Sequence, residues 1–219
     1  GKTALQYNGH SLAQLNPTRR GALLQEWACQ VLKEANPNAL FEEATPGTRV
    51  NGHRRGAFQA EYDFLLDRRK VEVKSCQLRW ENNERRWRVL FTRVKFPHLM
   101  SWNTSSFEDL YLVLFSPKWL HLVKHDLQTG ISRMGLQTEP SGYSVNLRSG
   151  VNSLHWEGAL ETILDKLCTQ GGCSLIAKTE SLGTCILDMC NKHEGFGSRF
   201  YHRKPFGSMS PQLRGFRVQ

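Results

Sequence analysis

The fold of this chain is decided by residues 60–75, which read Ala60-Glu-Tyr-Asp-Phe-Leu-Leu-Asp-Arg-Arg-Lys-Val-Glu-Val-Lys-Ser75. Residues 58–66 are rich in strand formers, and residues 71–78 alternate apolar and polar side chains, as a half-buried strand does. The polar residues 67–70 between them favour a turn. The sequence therefore predicts a β-hairpin over this stretch.

The register of this hairpin decides which side chains meet. A tight turn centred on residues 68–69 would pair Leu66 with Val71 and, further along the same ladder, Asp63 with Lys74. Directly paired residues share a face and successive residues alternate, so Asp63, Glu72 and Lys74 are expected on one side. Asp63 and Glu72 would be diagonal neighbours about 7 Å apart, close enough to hold a divalent cation between them. Acids and lysines in this pattern also form plain solvated ion pairs, and that alternative stays open.

With these residues in this order, the chain resembles the PD-(D/E)XK nuclease superfamily. The core of that family is a helix carrying a Glu, then a strand with an Asp, then a strand with Glu-X-Lys. The last motif matches Glu72-Val73-Lys74, the Asp matches Asp63, and a helix over residues 21–32 supplies Glu26. Tyr62 stands where many members have Pro. The resemblance covers residues 19–124.

The resemblance implies an α/β fold with a restriction-endonuclease-like mixed central sheet flanked by helices. It also implies a divalent-metal-dependent endonuclease that leaves a 5′-phosphate and a 3′-hydroxyl. Asp63 and Glu72 would hold Mg²⁺, or Mn²⁺ in its place, with the Val73 carbonyl completing the shell. Lys74 would lie beside the scissile phosphate, and Glu26 would add a carboxylate to the metal shell or orient a water.

Charge independently favours a polyanionic partner. The chain of 219 residues carries a net charge of +9, with a pI of about 9.5. Excess Lys and Arg favour phosphate backbones through counterion release, and interleaved aromatic side chains can stack on bases. Nucleic acid, with DNA preferred, is the expected partner. The residues expected to contact it are Arg49, His53, Arg54, Arg55, Arg79, Arg85, Arg86, Arg88, Arg93 and Lys95.

Two alternatives to a DNA endonuclease remain at this point. One is a non-catalytic nucleic-acid-binding module whose carboxylates are structural. The other is an RNA endonuclease of the same superfamily. A homodimer is a further expectation, because cutting both strands with one site per chain calls for two copies.

Periodicity predicts the remaining elements. Asn16 and Pro17 open a helix that ends near residue 36, and residues 39–44 form a short strand. Residues 79–93 form a long basic ribbon that projects near the active face, and residues 97–109 are mostly helical. The apolar run 109–115 is a central buried strand with residues 119–124 as its neighbour. Residues 126–150 form a loop with short strands, and residues 154–168 form a helix capped by residues 152–153.

These elements define three segments. Residues 1–15 are expected to be an N-terminal arm with little structure, residues 16–168 the nuclease-like domain, and residues 169–219 a basic extension. No apolar run is long enough for a transmembrane helix, so no membrane partner is expected. The absence of a signal-like start favours an intracellular, reducing compartment.

The cysteines leave one cofactor question open. Four of the six lie at Cys168, Cys173, Cys185 and Cys190, and His193 and His202 follow them. Such a set could build a structural zinc site, although the spacing is loose for one. Reduced thiols and disulfides are the alternatives.

Overall fold

The computed structural model describes residues 1–44, 49–50, 53–54, 62–96, 99, 107–130, 133–139, 142–181 and 217–218. Of residues 49–50, 53–54 and 217–218 only the backbone is described. The expected helical segment 97–109 lies almost wholly outside these ranges.

The described part of the chain is a mixed α/β structure. Its helices are α1 (Lys2–Gln6), α2 (Ser11–Gln14), α3 (Pro17–Ala35) and α4 (Trp156–Asp165), which runs on into a π-helical turn (Lys166–Gln170). Its strands are β1 (Phe41–Glu43), β2 (Arg49–Val50), β3 (His53–Arg54), β4 (Phe64–Leu66), β5 (Arg69–Gln77), β6 (Arg79–Glu81), β7 (Arg86–Val94), β8 (Asp109–Phe115), β9 (Trp119–His125), β10 (Leu136–Glu139), β11 (Gly142–Arg148), β12 (Cys173–Glu180) and β13 (Arg217–Val218).

The main sheet is mixed and has seven strands in the order β1-β4-β5-β8-β9-β12-β13. Its one parallel pair is β5 with β8, in the register Glu72↔Leu110; the other pairs are antiparallel. All residues of β8 are buried, as expected of a strand covered on both faces. The apolar run 109–115 was therefore correctly predicted to be the central strand.

Helix α3 covers one face of this sheet. Asn16 caps it by accepting a hydrogen bond from the Arg19 N–H (2.9 Å), and Pro17 occupies its first turn, as predicted. The helix buries Leu24, Trp27 and Val31 against Val71 and other side chains from that face of the sheet. The apolar stripe of the sequence thus determined which face of the helix is buried.

The opposite face is covered by a second, four-stranded sheet in the order β10-β11-β7-β6 and by α4. Residues 79–94 do form a hairpin ribbon, as predicted, since β6 pairs with β7. The ribbon does not project: Trp87, Val89 and Phe91 are fully buried in the core between the layers. The alternating apolar side chains of β7 need burial, and that need outweighs the charge of the arginines between them.

The N-terminal segment is more ordered than predicted. It forms α1 and α2 and packs on the core through Tyr7 and Leu12. The Tyr7 hydroxyl donates to the carbonyl of Leu78 (2.9 Å) and lies 3.2 Å from that of Phe115, and His10 Nε2 lies 2.9 Å from Ser181 Oγ. These buried polar contacts hold the N-terminal segment against the core. Apolar periodicity alone does not predict contacts of this kind.

The C-terminal boundary also differs from the prediction. Strand β12 lies in the expected extension, yet it pairs with β9 along its length and so belongs to the main sheet. The regular part of α4 starts at Trp156, two residues later than predicted, and His155 rather than residues 152–153 precedes it. Among the described residues, no helix combines the length and apolar character that a bilayer crossing requires.

We expect the fold to lose stability between pH 7 and pH 5. Burial lowers the pKa of His10 and of His121 to about 4, whereas both titrate near 6.5 when unfolded. Between these values the unfolded chain binds protons that the folded chain does not, so the free energy of unfolding falls as the pH falls. Urea titrations at the two pH values should differ by on the order of 2–4 kcal/mol.

The matched variant is His121→Gln, which removes one of these titrations but leaves His10 and the buried His125, whose pKa burial also lowers. The difference between pH 7 and pH 5 should shrink by about 1–2 kcal/mol in this variant. Equal stability of the parent protein at both pH values would contradict the assignment.

Candidate functional site

The hairpin turn lies one residue earlier than the sequence suggested. Asp67 and Arg68 both have positive φ (49° and 65°), the backbone of a two-residue turn of the primed type. Asp67 is held there by Leu40: its N–H donates to the Leu40 carbonyl, and its carboxylate accepts from the Leu40 N–H, both at 2.8 Å. Leu66 therefore pairs with Arg69, and Phe64 with Val71.

The predicted pairing of Leu66 with Val71 is consequently wrong by two residues. A shift of two preserves the alternation of faces, whereas a shift of one would have reversed it. The ladder of paired residues ends at Phe64↔Val71, and the Asp63 N–H bonds to the Val71 carbonyl, so Asp63 is not paired with Lys74.

The chain bends at Asp63 where β4 and β5 separate. Tyr62 packs against the core under the second sheet and Phe64 against the core under α3, although residues two apart share a face in a regular strand. The Asp63 N–H donates to the Val71 carbonyl (2.8 Å), and Asp63 Oδ2 accepts from the Val73 N–H (2.7 Å). Strand N–H groups point sideways within the sheet, so the Asp63 carboxylate lies at the edge of β5. There it accepts the hydrogen bond that a backbone carbonyl of a neighbouring strand would otherwise accept.

Glu72 and Lys74 share the face of β5 opposite to α3. Val71 and Val73 pack under α3, and the alternation places Glu72 and Lys74 on the side of the second sheet. The Lys74 ammonium bonds directly to the Glu72 carboxylate, and both side chains are partly buried. Of the three residues predicted to share one face, Glu72 and Lys74 do so, as an ion pair, whereas the Asp63 carboxylate lies at the edge of β5.

Helix α3, which carries Glu26, packs on the face of β5 that bears Val71 and Val73. A methyl group placed on Gly21 would lie 3.8 Å from Ser75 Oγ, and Cys29 follows about two turns later in the same core as Val71. Burial raises the pKa of Cys29 to about 12; Lys33 lowers it, and the negative charges of Glu26, Asp63 and Glu43 raise it further. Glu26 and Asp63 thus act on one thiol, together with Glu43 of β1, which sequence reasoning missed.

The donors around this edge fit a hard cation in type. In a strand the N–H and C=O of one residue point the same way, so the Val73 carbonyl faces the edge where Asp63 bonds to the Val73 N–H. Carboxylate and carbonyl oxygens are the ligands that Mg²⁺ prefers. Within the described ranges, however, no three His, Cys, Asp or Glu side chains already stand close enough to hold a metal ion. Glu72 would have to exchange Lys74 for the cation.

Two of the five predicted nucleic-acid-binding arginines of the ribbon, Arg86 and Arg88, are paired with acids of the same ribbon. Glu81 contacts Arg88 (3.0 Å) and Arg148 (3.4 Å), and Glu84 contacts Arg148 (3.1 Å) and Arg86. The sequence placed Glu81 and Glu84 in a turn, and nothing in it indicated that β11 would bring Arg148 beside them. The network lowers the net charge that this surface offers to a ligand.

The other predicted contacts divide into three groups. Arg79 donates a hydrogen bond to the Gln77 side chain (3.1 Å). Arg85 and Arg93 adopt a left-handed backbone conformation with positive φ, and Lys95 is the first residue after β7. Arg49, His53 and Arg54 lie on the small β2–β3 hairpin, where only the backbone is described. Arg55 lies outside the described residues.

The sequence pattern also did not predict that the carboxylate of Asp109, at the start of β8, is buried. Asp109 accepts two hydrogen bonds from the Arg69 guanidinium (2.7 and 3.1 Å), and Lys124 lies 2.8 Å away on β9. Burial alone would raise the pKa of Asp109, but the hydrogen bonds from Arg69 and Lys124 hold it below its usual value. This cluster ties β5, β8 and β9 together at one end and is structural.

The described residues do not test the zinc hypothesis. Cys168 is exposed on the π-helical turn and Cys173 is buried at the start of β12, and both are free thiols. Cys185, Cys190, His193 and His202 lie outside the described residues.

Comparison with known protein families, with curated proteins and with solved structures gave no match. The residues and their geometry are therefore the whole basis for a functional assignment.

We expect Asp109→Asn to destabilise the fold. It would leave Arg69 and Lys124 beside an amide that cannot balance their charge. The loss in free energy of unfolding should be about 2–3 kcal/mol, below the cost for a fully buried pair because both cations reach solvent. Urea denaturation at pH 7 measures it, and Glu161→Gln, an exposed acid on α4, serves as the control. Wild-type stability of Asp109→Asn would show that the pairing contributes nothing.

Proposed function

We propose that this protein is a divalent-metal-dependent endonuclease, with DNA as its favoured substrate. One observation carries the proposal: the Asp63 carboxylate is hydrogen-bonded to the strand that bears Glu72-Val73-Lys74, at Val73 itself. A carboxylate held against a Glu-X-Lys strand is the arrangement that the sequence resemblance calls for. The net charge of +9 is consistent with a phosphate-rich substrate.

The proposed fold type is restriction-endonuclease-like. The mixed sheet supports it, because Asp63 precedes β4, the Glu-X-Lys motif lies on β5, and β8 is parallel to β5. Helix α3 precedes these strands and packs on β5, as the Glu-bearing helix of that family would. The second sheet, which covers one face together with α4, is a feature that the resemblance does not include.

The residues would divide the work as follows. Mg²⁺, when bound, would supply Lewis-acid stabilisation of the phosphate and a bound water of lowered pKa. Asp63, Glu72 and the Val73 carbonyl would hold it, and Glu26 would orient a water from the helix side. Lys74 would leave Glu72 when the cation arrives and place its ammonium beside the scissile phosphate, where negative charge develops.

A second candidate is a nucleic-acid-binding module without catalysis. The direct Glu72–Lys74 ion pair favours it, because a paired acid and amine satisfy each other without a cation. Under this alternative Asp63 would only close the strand edge. The two candidates differ in whether a metal ion is required for any activity.

Cleavage assays separate them. Supercoiled plasmid and branched oligonucleotides are incubated with the protein in Mg²⁺ or in EDTA, and an RNA panel tests the remaining substrate class. We expect metal-dependent nicking that falls by about 100-fold or more in Lys74→Ala, Asp63→Asn and Glu72→Gln.

The matched control is Glu161→Gln, the same chemical change as Glu72→Gln at an exposed position on α4. It should leave nicking unchanged. Calorimetry with Mn²⁺ adds a readout without turnover, in which Asp63→Asn should weaken binding and Glu161→Gln should not. Binding of nucleic acid with no cleavage in any metal would instead favour the non-catalytic module.

A further inference from the structure

An exposed cationic surface lies at the opposite end of the main sheet from the Asp63 edge. It consists of Lys118 in the β8–β9 turn, Trp119 at the start of β9 and Lys178 on β12, and we call it the Trp119 surface. Lys118 Nζ lies 5.1 Å and Lys178 Nζ 4.1 Å from the centre of the Trp119 ring. Both lysines are exposed, and Trp119 is half-buried against the core under the second sheet.

The geometry holds two like charges close together. Because both ammonium groups are measured from one ring centre, they cannot be more than about 9 Å apart. The face of an indole attracts cations, which offsets part of their mutual repulsion and restricts both side chains. Two positioned ammonium groups at this spacing match neighbouring charges on a polyanion rather than a single carboxylate.

Among the described residues, no acid neutralises the charge of this surface. Within the described ranges no carboxylate lies within salt-bridge distance of Lys118 or Lys178, in contrast to Arg86 and Arg88 of the ribbon and Arg148 of β11. The cross-strand neighbour of Trp119 is Glu180, which is exposed and makes no ion pair with either lysine. The positive charge of Lys178 even adds to burial in lowering the pKa of the adjacent His121.

We propose that the Trp119 surface binds the phosphate backbone of nucleic acid, one phosphate on each lysine, outside the site of cleavage. This inference rests on the proposed function for the class of ligand. The surface and Glu72 are separated by six residues along β8 and β9 and by two strand spacings, about 20 Å in all. That distance equals about six nucleotides of a strand, so one short duplex can reach both places. Arg86 and Arg88 of the ribbon, paired with Glu84 and Glu81, contribute less than the sequence suggested.

The salt dependence of binding tests this directly. Anisotropy of a labelled 20-base-pair duplex is measured with the full chain in EDTA over a series of salt concentrations. Each phosphate contact contributes about 0.9 to the slope of log K against log salt, so Lys118→Ala/Lys178→Ala should lower the slope by about 1.8. Affinity at about 0.1 M salt should fall by about tenfold. Glu180→Gln should raise affinity, a gain that misfolding cannot produce.

Lys166→Ala is the matched control. It removes the same unit charge per substitution, but its ammonium donates to the Arg148 carbonyl (2.8 Å) and is committed within the fold. Its slope should equal that of the parent protein. An unchanged slope in the double variant, or an equal drop per lysine in Lys166→Ala, would overturn the proposal, as would equally tight binding of polyglutamate.

The outcome is separable from that of the nuclease proposal. A lowered slope in the double variant together with no cleavage in any metal would retain the Trp119 surface and reject the nuclease. Metal-dependent cleavage with an unchanged slope would retain the nuclease and reject the surface. A chain that does not bind the duplex even at low salt rejects both.

Discussion

The hydrogen bond between the Val73 N–H and the Asp63 carboxylate is the contact on which the candidate site depends. It forms where β4 has diverged from β5, so a side chain completes a ladder that the backbone no longer supplies. A buried N–H without a partner is costly, and this cost holds the carboxylate in place. The same contact sets the distance between Asp63 and the Glu-X-Lys strand. Structural and chemical demands on Asp63 therefore coincide, since one oxygen of the carboxylate stabilises the fold at the point where a cation would be bound.

The charges of the chain serve two purposes that composition alone does not separate. One set of cations holds the fold together: Arg69 and Lys124 on Asp109, and Arg148 on Glu81 and Glu84. Another set, of which Lys118 and Lys178 are members, rests on aromatic rings and keeps its charge. Only the second set contributes an unbalanced local field that can attract a polyanion. A net charge therefore indicates a class of partner without identifying the surface that binds it.

The comparison between sequence and structure is most informative at the hairpin. Periodicity correctly gave two strands and the shared face of Glu72 and Lys74, because alternation is a local property of a strand. It gave the wrong turn, because Asp67 adopts a left-handed backbone only through its two hydrogen bonds to Leu40, a residue distant in sequence. The error left the faces of residues 64–66 unchanged, since a displacement of two residues preserves the alternation. At Asp63 the chain bends, and the paired ladder ends.

By itself the sequence determined the local elements with a strong apolar pattern: helix α3 with its Asn16 cap, the hairpin, the buried strand β8 and its neighbour β9. Those features follow from burial of one stripe or face and need no knowledge of the rest of the chain. Tertiary structure alone decided that Asp63 bonds to Val73, that Asp109 is shared by two cations, and that residues 173–180 complete the main sheet. It also decided that the ribbon packs as a second layer instead of projecting. Each of these depends on partners far apart along the chain, whose proximity is set only when the sheets and helices pack together.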